Sequence, residues 1–407
     1  MTLLPAFIRE RPGLALFATL AVATSGFGQT FFLSVFGEQI RGAFDLSHTL
    51  YGGLYSLATV ISACMLLKWG RLADTWSLPR ATILAVGILA VGCLFLGLAN
   101  GVVLLFLGFL GIRFGGQGLI SHLGLTTAAR YFSAHRGKAV ALAAGGFPLA
   151  EAVLPPAGVF LVGLWGWRFP WVAGSVLLLV CILPLLVYLT RDAPSPESEQ
   201  SGSGKEGPGA SFTRKEVLRD RGFYFLLPAT MASPFMVTAL LFHQAAIASI
   251  QDWPMQAVGT AFTGYAAGHL CALLGGGPLV DRISAGRTLP MALFPMAAGL
   301  FILSIWDGIW VVYVYLTLMG VTHGLASTAA GAVWAERYGI LHLGAIRSLA
   351  QAAVIFSTAV APLLIGYVLD AGLSPGALAA FLTGLTLMSA LLARLAPAPA
   401  KGTRKAS

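Results

Sequence analysis

Two charged residues stand inside long apolar stretches of this sequence, Arg113 and Glu151. A charge at the centre of a bilayer costs roughly 2.5–3.5 kcal/mol on insertion scales, so such residues are normally paired and functional. Arginine keeps its proton, so Arg113 either binds an anion or neutralises Glu151. A buried glutamate can alternate between a protonated and a paired form, which makes Glu151 the candidate for proton exchange. If the two stretches are antiparallel neighbours, Arg113 and Glu151 sit at similar depth and meet. Arg113, Gln117 and Ser121 recur every four residues and share one helix face, expected to line a central cavity. Pro148, Pro155 and Pro156 flank Glu151 and should bend its helix, freeing carbonyls.

Further polar candidates lie elsewhere in apolar sequence. His269 follows Tyr265 by four residues, and His323 precedes Ser327 by four, so each pair shares a face. With His243 and Gln244 they read as a polar cavity wall; the competing reading for each histidine is a bond to a backbone carbonyl. Gln29 and Tyr55 join them as substrate-binding candidates, although Tyr51 and Tyr55 could equally be interfacial anchors. No metal constellation, nucleophile–base pair or phosphate-binding glycine loop is visible, so neither an enzyme nor a cofactor is expected. Gly115-Gly116, Gly145-Gly146 and Gly275-Gly276-Gly277 read as close helix-packing sites.

The elements that position these residues follow from composition. The chain is 57% apolar and only 10% charged, with a mean hydropathy of +0.82. A soluble domain is about a quarter charged, so this is an integral membrane protein. Its apolar runs do not alternate in polarity as barrel strands would, so the spans are helical. Twelve are expected: Leu14–Phe36, Thr49–Leu67, Ala81–Ala99, Val102–Leu125, Ala139–Gly163, Phe169–Thr190, Phe223–Ile250, Ala257–Leu279, Thr288–Ile305, Ile309–Val333, Arg347–Leu369 and Pro375–Leu395. With the N-terminus cytoplasmic, 22 of the 25 Lys and Arg residues fall in loops on the cytoplasmic side, which places both termini there. The net charge of +9 is therefore a topology signal and not a nucleic-acid footprint. The four cysteines lie within apolar spans and read as core residues. The first apolar run is too long for a signal peptide.

Residues 191–221, rich in Pro, Ser, Gly and charge, read as a solvated linker between an N-terminal six-helix bundle (1–190) and a C-terminal one (222–407). The halves repeat. At a shift of 207 positions Asp74 falls on Asp281, Arg80 on Arg287, Arg130 on Arg337, Tyr131 on Tyr338 and Pro155 on Pro362. Two parallel six-helix repeats form the architecture of a rocking transporter with its site at their interface.

Gly70-Arg71-Leu72-Ala73-Asp74, in the loop after the second span, resembles the signature of the major facilitator superfamily. The second copy, Gly277 to Arg287, is closer to the family pattern; the first carries Thr75 and Ser77 where that pattern has a basic residue and a glycine. The segment from Arg130-Tyr131-Phe132 to Gly137 is similar to bacterial relatives of monocarboxylate and oxalate–formate carriers. The resemblance implies an all-α polytopic fold of two pseudo-symmetric bundles. It also implies a gating role for Gly70, Asp74, Arg80, Asp281, Arg282 and Arg287, with Arg130 or Arg136 as the cationic partner of Asp74. The alternative is a plain topology-setting turn.

The expected protein is a monomeric secondary transporter of the bacterial inner membrane. It would move a small organic anion, such as a monocarboxylate, with protons and by alternating access. Proton-coupled efflux of drug-like compounds, with Arg113–Glu151 as a proton switch, is the alternative. A non-transporting membrane sensor is the alternative of another class.

Overall fold

The computed structural model describes residues 11–70, 72–132, 135–191, 193, 212–339 and 342–398. Eleven of its helices are long and apolar enough to cross a membrane, and a twelfth span is a helix pair bent by 42°. In chain order the first bundle is α1 (Pro12–Gly28 with Thr30–Phe44), α2 (His48–Trp69), α3 (Leu78–Gly97), α4 (Val102–Tyr131), α5 (Arg136–Trp165) and α6 (Arg168–Thr190). The second is α7 (Arg221–Phe242), α8 (Met255–Ile283), α9 (Ala285–Ile305), α10 (Trp310–Tyr338), α11 (Leu343–Asp370) and α12 (Pro375–Arg394). A short helix, Gln244–Ile250, prolongs α7. All twelve expected spans are present, most of them longer at their ends.

Two helices depart from regular geometry where they meet. α1 breaks at Gln29, whose backbone is extended. α4 widens into a π-helix over Ile112–Ile120, a run with three glycines and poor intrinsic helix propensity. Gly28 packs against this segment so closely that a Cβ there would lie 2.8 Å from both Gly116 Cα and Gln117 N. The break also withdraws the Gly28 carbonyl from the helical ladder, since Phe32 and Leu33 both donate to Gln29 O.

The bundles join at the end away from the basic loops. There α2 packs on α11 and α5 on α8. Gly52 faces the Pro362 carbonyl so closely that a Cβ would lie 2.7 Å from its carbon. Tyr51 and Tyr55 lie against Phe242, with ring centroids 4.6 and 4.5 Å apart. Asp370, closing α11, accepts from the backbone N–H of His48 (3.0 Å) and Thr49 (2.7 Å) and from the Thr49 hydroxyl (2.5 Å). It thus caps α2 from the opposite bundle, where the helix dipole favours a carboxylate. At the basic end the second bundle keeps an apolar cluster of its own, with Val217, Phe223, Trp334 and Tyr338. The bundles share one core at the outer end and part at the basic end.

The end of the expected linker folds back on the second bundle. Thr213 and Glu216 form a capping box that starts the helix Arg214–Val217. Phe212 N–H donates to Tyr338 O at 3.0 Å. Asp220 accepts from Tyr338 Oη at 2.6 Å and from Arg337 Nη2 at 3.0 Å. The rest of the linker, from 194 to 211, lies outside the described residues.

Candidate functional site

The parting of the bundles leaves a cavity with three lobes that all touch Gln351 of α11. One, about 290 Å³, is lined by Gln29, Gln117, Ser121 and Glu151 from the first bundle and by Tyr265, His323 and Thr358 from the second. A second, about 270 Å³, is lined by Thr59, Ser62, Arg113, Gln117 and Thr358. The third, about 590 Å³, runs past His323 and Ser327 to Trp334 and Arg347 at the basic end. The cavity opens towards the basic loops.

Arg113 and Glu151, expected to meet, do not. Arg113 is 1% exposed. Its Nε donates to Thr59 Oγ1 (3.1 Å) and its Nη1 to the Gly28 carbonyl released by the break in α1 (3.3 Å). The guanidinium also lies 4.8 Å from the centre of the Tyr55 ring, a cation–π distance. No carboxylate within ion-pair distance neutralises it among the described residues. The physical reason is directional: Arg113 is drawn towards α1 and α2, whereas Glu151 points across the bundle interface.

Glu151, also 1% exposed, bonds His269 of α8, Oε2 to Nδ1, at 2.8 Å. The His269 ring stacks on that of His323, with centroids 4.4 Å apart. His323 Nδ1 in turn meets the Tyr265 hydroxyl at 2.6 Å. A polar chain thus crosses from the first bundle into the second: Glu151, His269, His323, Tyr265. Glu151, His269 and His323 also offer ligand atoms within 4.8 Å of one another, a trio that could hold a metal ion. Sequence spacing had shown no such set because its members come from three helices. Each Nδ1 is already engaged, so a metal would have to take Nε2 or displace those bonds.

Of the other expected site residues, Gln29, Gln117, Tyr265 and His323 line the cavity. Tyr55 stands behind Arg113 and bonds Thr30 Oγ1 at 2.8 Å. His243 and Gln244, expected on the cavity wall, belong instead to the closed outer end. His243 Nε2 pairs with Pro362 O at 2.8 Å, and Gln244 accepts from the Tyr315 hydroxyl. Both side chains are buried. The competing reading, a histidine held by a backbone carbonyl, describes His243.

Sequence reasoning passed over Gln351, an amide in an apolar span that the criterion used for Gln29 and Gln117 would have found. It also passed over Thr59, which donates to Tyr55 O at 2.8 Å while accepting from Arg113. A threonine that satisfies itself on its own helix carries no sequence signal.

The residues expected to gate lie around the basic end. Gly70 closes α2, and Arg80 is exposed on the first turn of α3. Asp74 lies on the short helix Leu72–Thr75, its side chain outside the described part. Arg130 is half-buried at the end of α4. Arg136 donates to Ala129 O at 3.2 Å and fastens the turn between α4 and α5. Asp281, Arg282 and Arg287 are exposed and form no ion pair with one another.

Comparison with known proteins agrees with this arrangement. Monocarboxylate transporter 11 of Homo sapiens is 32% identical over 150 residues, 34% of this chain and 29% of that protein. A bacterial homolog of the human lysosomal transporter Spinster, in an inward-facing and unoccupied conformation, superposes with a TM-score of 0.65 at 16% identity, covering 94% of each chain. A variant of the nucleoside transporter NupG superposes with a TM-score of 0.68 at 15% identity, covering 94% of this chain and 99% of that one. A family model, Major Facilitator Superfamily, matches residues 18–257 and 226–407. With the family model matching almost the whole chain, twelve spans and a cavity between two bundles, the chain belongs to the Major Facilitator Superfamily of transporters.

Proposed function

We propose that this transporter moves a small organic anion, monocarboxylate-like, by alternating access and in company with a proton. The observation that carries the reading is Arg113, a buried guanidinium at the cavity with no carboxylate partner among the described residues. A buried charge lacking a counter-charge is costly, and an incoming carboxylate would relieve that cost with charge-assisted hydrogen bonds. Two of the guanidinium nitrogens are anchored to Thr59 and Gly28, which orients the group. The amides of Gln117 and Gln351 line the same lobe and would hold the rest of the anion.

Proton exchange falls to Glu151. Its bond to His269 ties α5 to α8. A proton arriving at Glu151 removes its charge, weakens that tie and frees the bundles to rock; release restores it. Asp281 and Arg282, without an ion-pair partner among the described residues, are proposed to join Gly70, Asp74, Arg80, Arg130 and Arg136 in closing the basic end. By its basic loops the protein is proposed to sit in a bacterial inner membrane as a monomer, with both termini cytoplasmic. The reading of proton-coupled drug efflux relied on an Arg113–Glu151 switch, and those residues are not paired.

The test is reconstitution into liposomes with proton flux read on adding a panel of small carboxylates. Carboxylate-driven flux that disappears in Arg113→Gln and Glu151→Gln is the expected result. Flux that survives Arg113→Gln overturns the anion role of Arg113; no response to any carboxylate overturns the substrate class.

A further inference from the structure

A cavity of about 920 Å³ lies apart from the one between the bundles. It lies wholly within the second bundle, among α7, α9, α10 and α12, and shares no lining residue with the central cavity. At its basic end stand Arg287, on the first turn of α9, and Arg394, on the last turn of α12. Neither guanidinium has a hydrogen-bond or ion-pair partner among the described residues. The charges nearby are already engaged. Arg337 is held by Asp220, and the Glu336 carboxylate caps α9 through the N–H groups of Ala285 (2.8 Å) and Gly286 (3.4 Å).

Away from the arginines the wall turns apolar. Met291, Phe294, Leu387 and Leu391 line it and are between 42% and 54% exposed. On membrane spans such surface faces lipid. From Arg287 to Phe294, and from Arg394 back to Leu387, each wall descends seven residues, about 10 Å towards the bilayer centre. α9 and α12 run in opposite directions, yet both pass from charge to hydrocarbon in the same sense and over the same depth. That is the profile of one amphiphile: an anionic head at the interface above acyl chains.

We propose that this cavity is a binding site for an anionic phospholipid. Arg287 and Arg394 hold the phosphate, and Phe294, Met291, Leu387 and Leu391 pack against the chains. A lipid seated there would brace α9 against α12 whatever the cargo, so the site stands apart from the transport reading.

The test uses the full chain purified in detergent. Retention of phosphatidylglycerol and of phosphatidylcholine is read by native mass spectrometry, with inorganic phosphate as a competitor. Variants are Arg287→Gln/Arg394→Gln, and Lys68→Gln as an exposed basic control in the other bundle. Phosphatidylglycerol is expected to be retained over phosphatidylcholine by roughly 30-fold, from two arginines at the interface. The double variant should lose most of that preference, Lys68→Gln should keep it, and millimolar phosphate should not displace the lipid. Equal retention of the two lipids, a preference that survives the double variant, or full displacement by phosphate would each overturn the proposal. The last would make the pocket a site for soluble phosphate.

Discussion

Glu151 of α5 and His269 of α8 share a 2.8 Å hydrogen bond across the bundle interface; both side chains are buried, and Glu151 lines the central cavity. The bond joins the two bundles, so in the proposed cycle the protonation of Glu151 and the rocking of the bundles would act on the same contact.

From this contact it follows that Glu151→Gln, which keeps shape but cannot exchange a proton, should abolish proton flux while leaving exchange of labelled anion across the membrane. His269→Asn should lower the net rate and shift its pH profile. Both are read in liposomes with and without a pH gradient. Chelation with EDTA should leave transport intact; loss of activity on chelation would instead assign a resident metal to Glu151, His269 and His323.

Arg113 should resist conservative replacement. A lysine there would be a point charge unable to keep the Thr59 and Gly28 bonds while presenting a flat fork to a carboxylate. The expected outcome for Arg113→Lys is a rise in KM of roughly 10- to 100-fold, the worth of one charge-assisted hydrogen bond. The measurement is initial uptake rate against carboxylate concentration.

Asp370 holds the outer end shut by capping α2 from the other bundle. Removing a helix cap costs about 1–2 kcal/mol, so Asp370→Asn should raise the outward-open population roughly 5- to 30-fold. Spin labels at Gly42→Cys and Ser249→Cys, in a background without the native cysteines, would report it as a longer distance component at the outer end. An unchanged distribution would show that the Gly52–Pro362 and Tyr51–Phe242 packing closes that end alone.

Asp220 sets a pH dependence at the basic end. Burial opposes its charge, but hydrogen bonds from Tyr338, Arg337 and the Gly222 N–H outweigh burial and hold its pKa below the ordinary carboxylate value. A depressed folded-state pKa contributes stability that is present above the unfolded value, near pH 4, and is lost as pH falls through the folded one. The thermal midpoint should therefore drop as pH is lowered below about 4. Asp220→Asn should lower the midpoint at pH 7 and flatten that segment of the curve, as followed by scanning fluorimetry.

Much of this architecture was legible in the residues themselves. Twenty apolar residues in a row can satisfy their backbone in lipid only as a helix, so the spans and their number follow from composition and length. The 207-residue repeat and the basic loops announce two bundles. Arg113 and Glu151 stand out because an intramembrane charge is costly wherever it points.

What each polar side chain would meet was decided by the tertiary structure alone. Arg113 finds the Gly28 carbonyl only because α1 breaks at Gln29, against a π-helical stretch of α4. Glu151 finds His269, and not Arg113, because α5 turns its face towards the second bundle. His243 and His323 are alike in sequence terms, yet one fastens the closed outer end and the other lines the cavity. Sequence determines which groups must leave water and on which helix they ride. Rotation, depth and local breaks of those helices decide which partners they find, because a hydrogen bond needs its atoms within about 3 Å and helix periodicity alone cannot place two helices that closely.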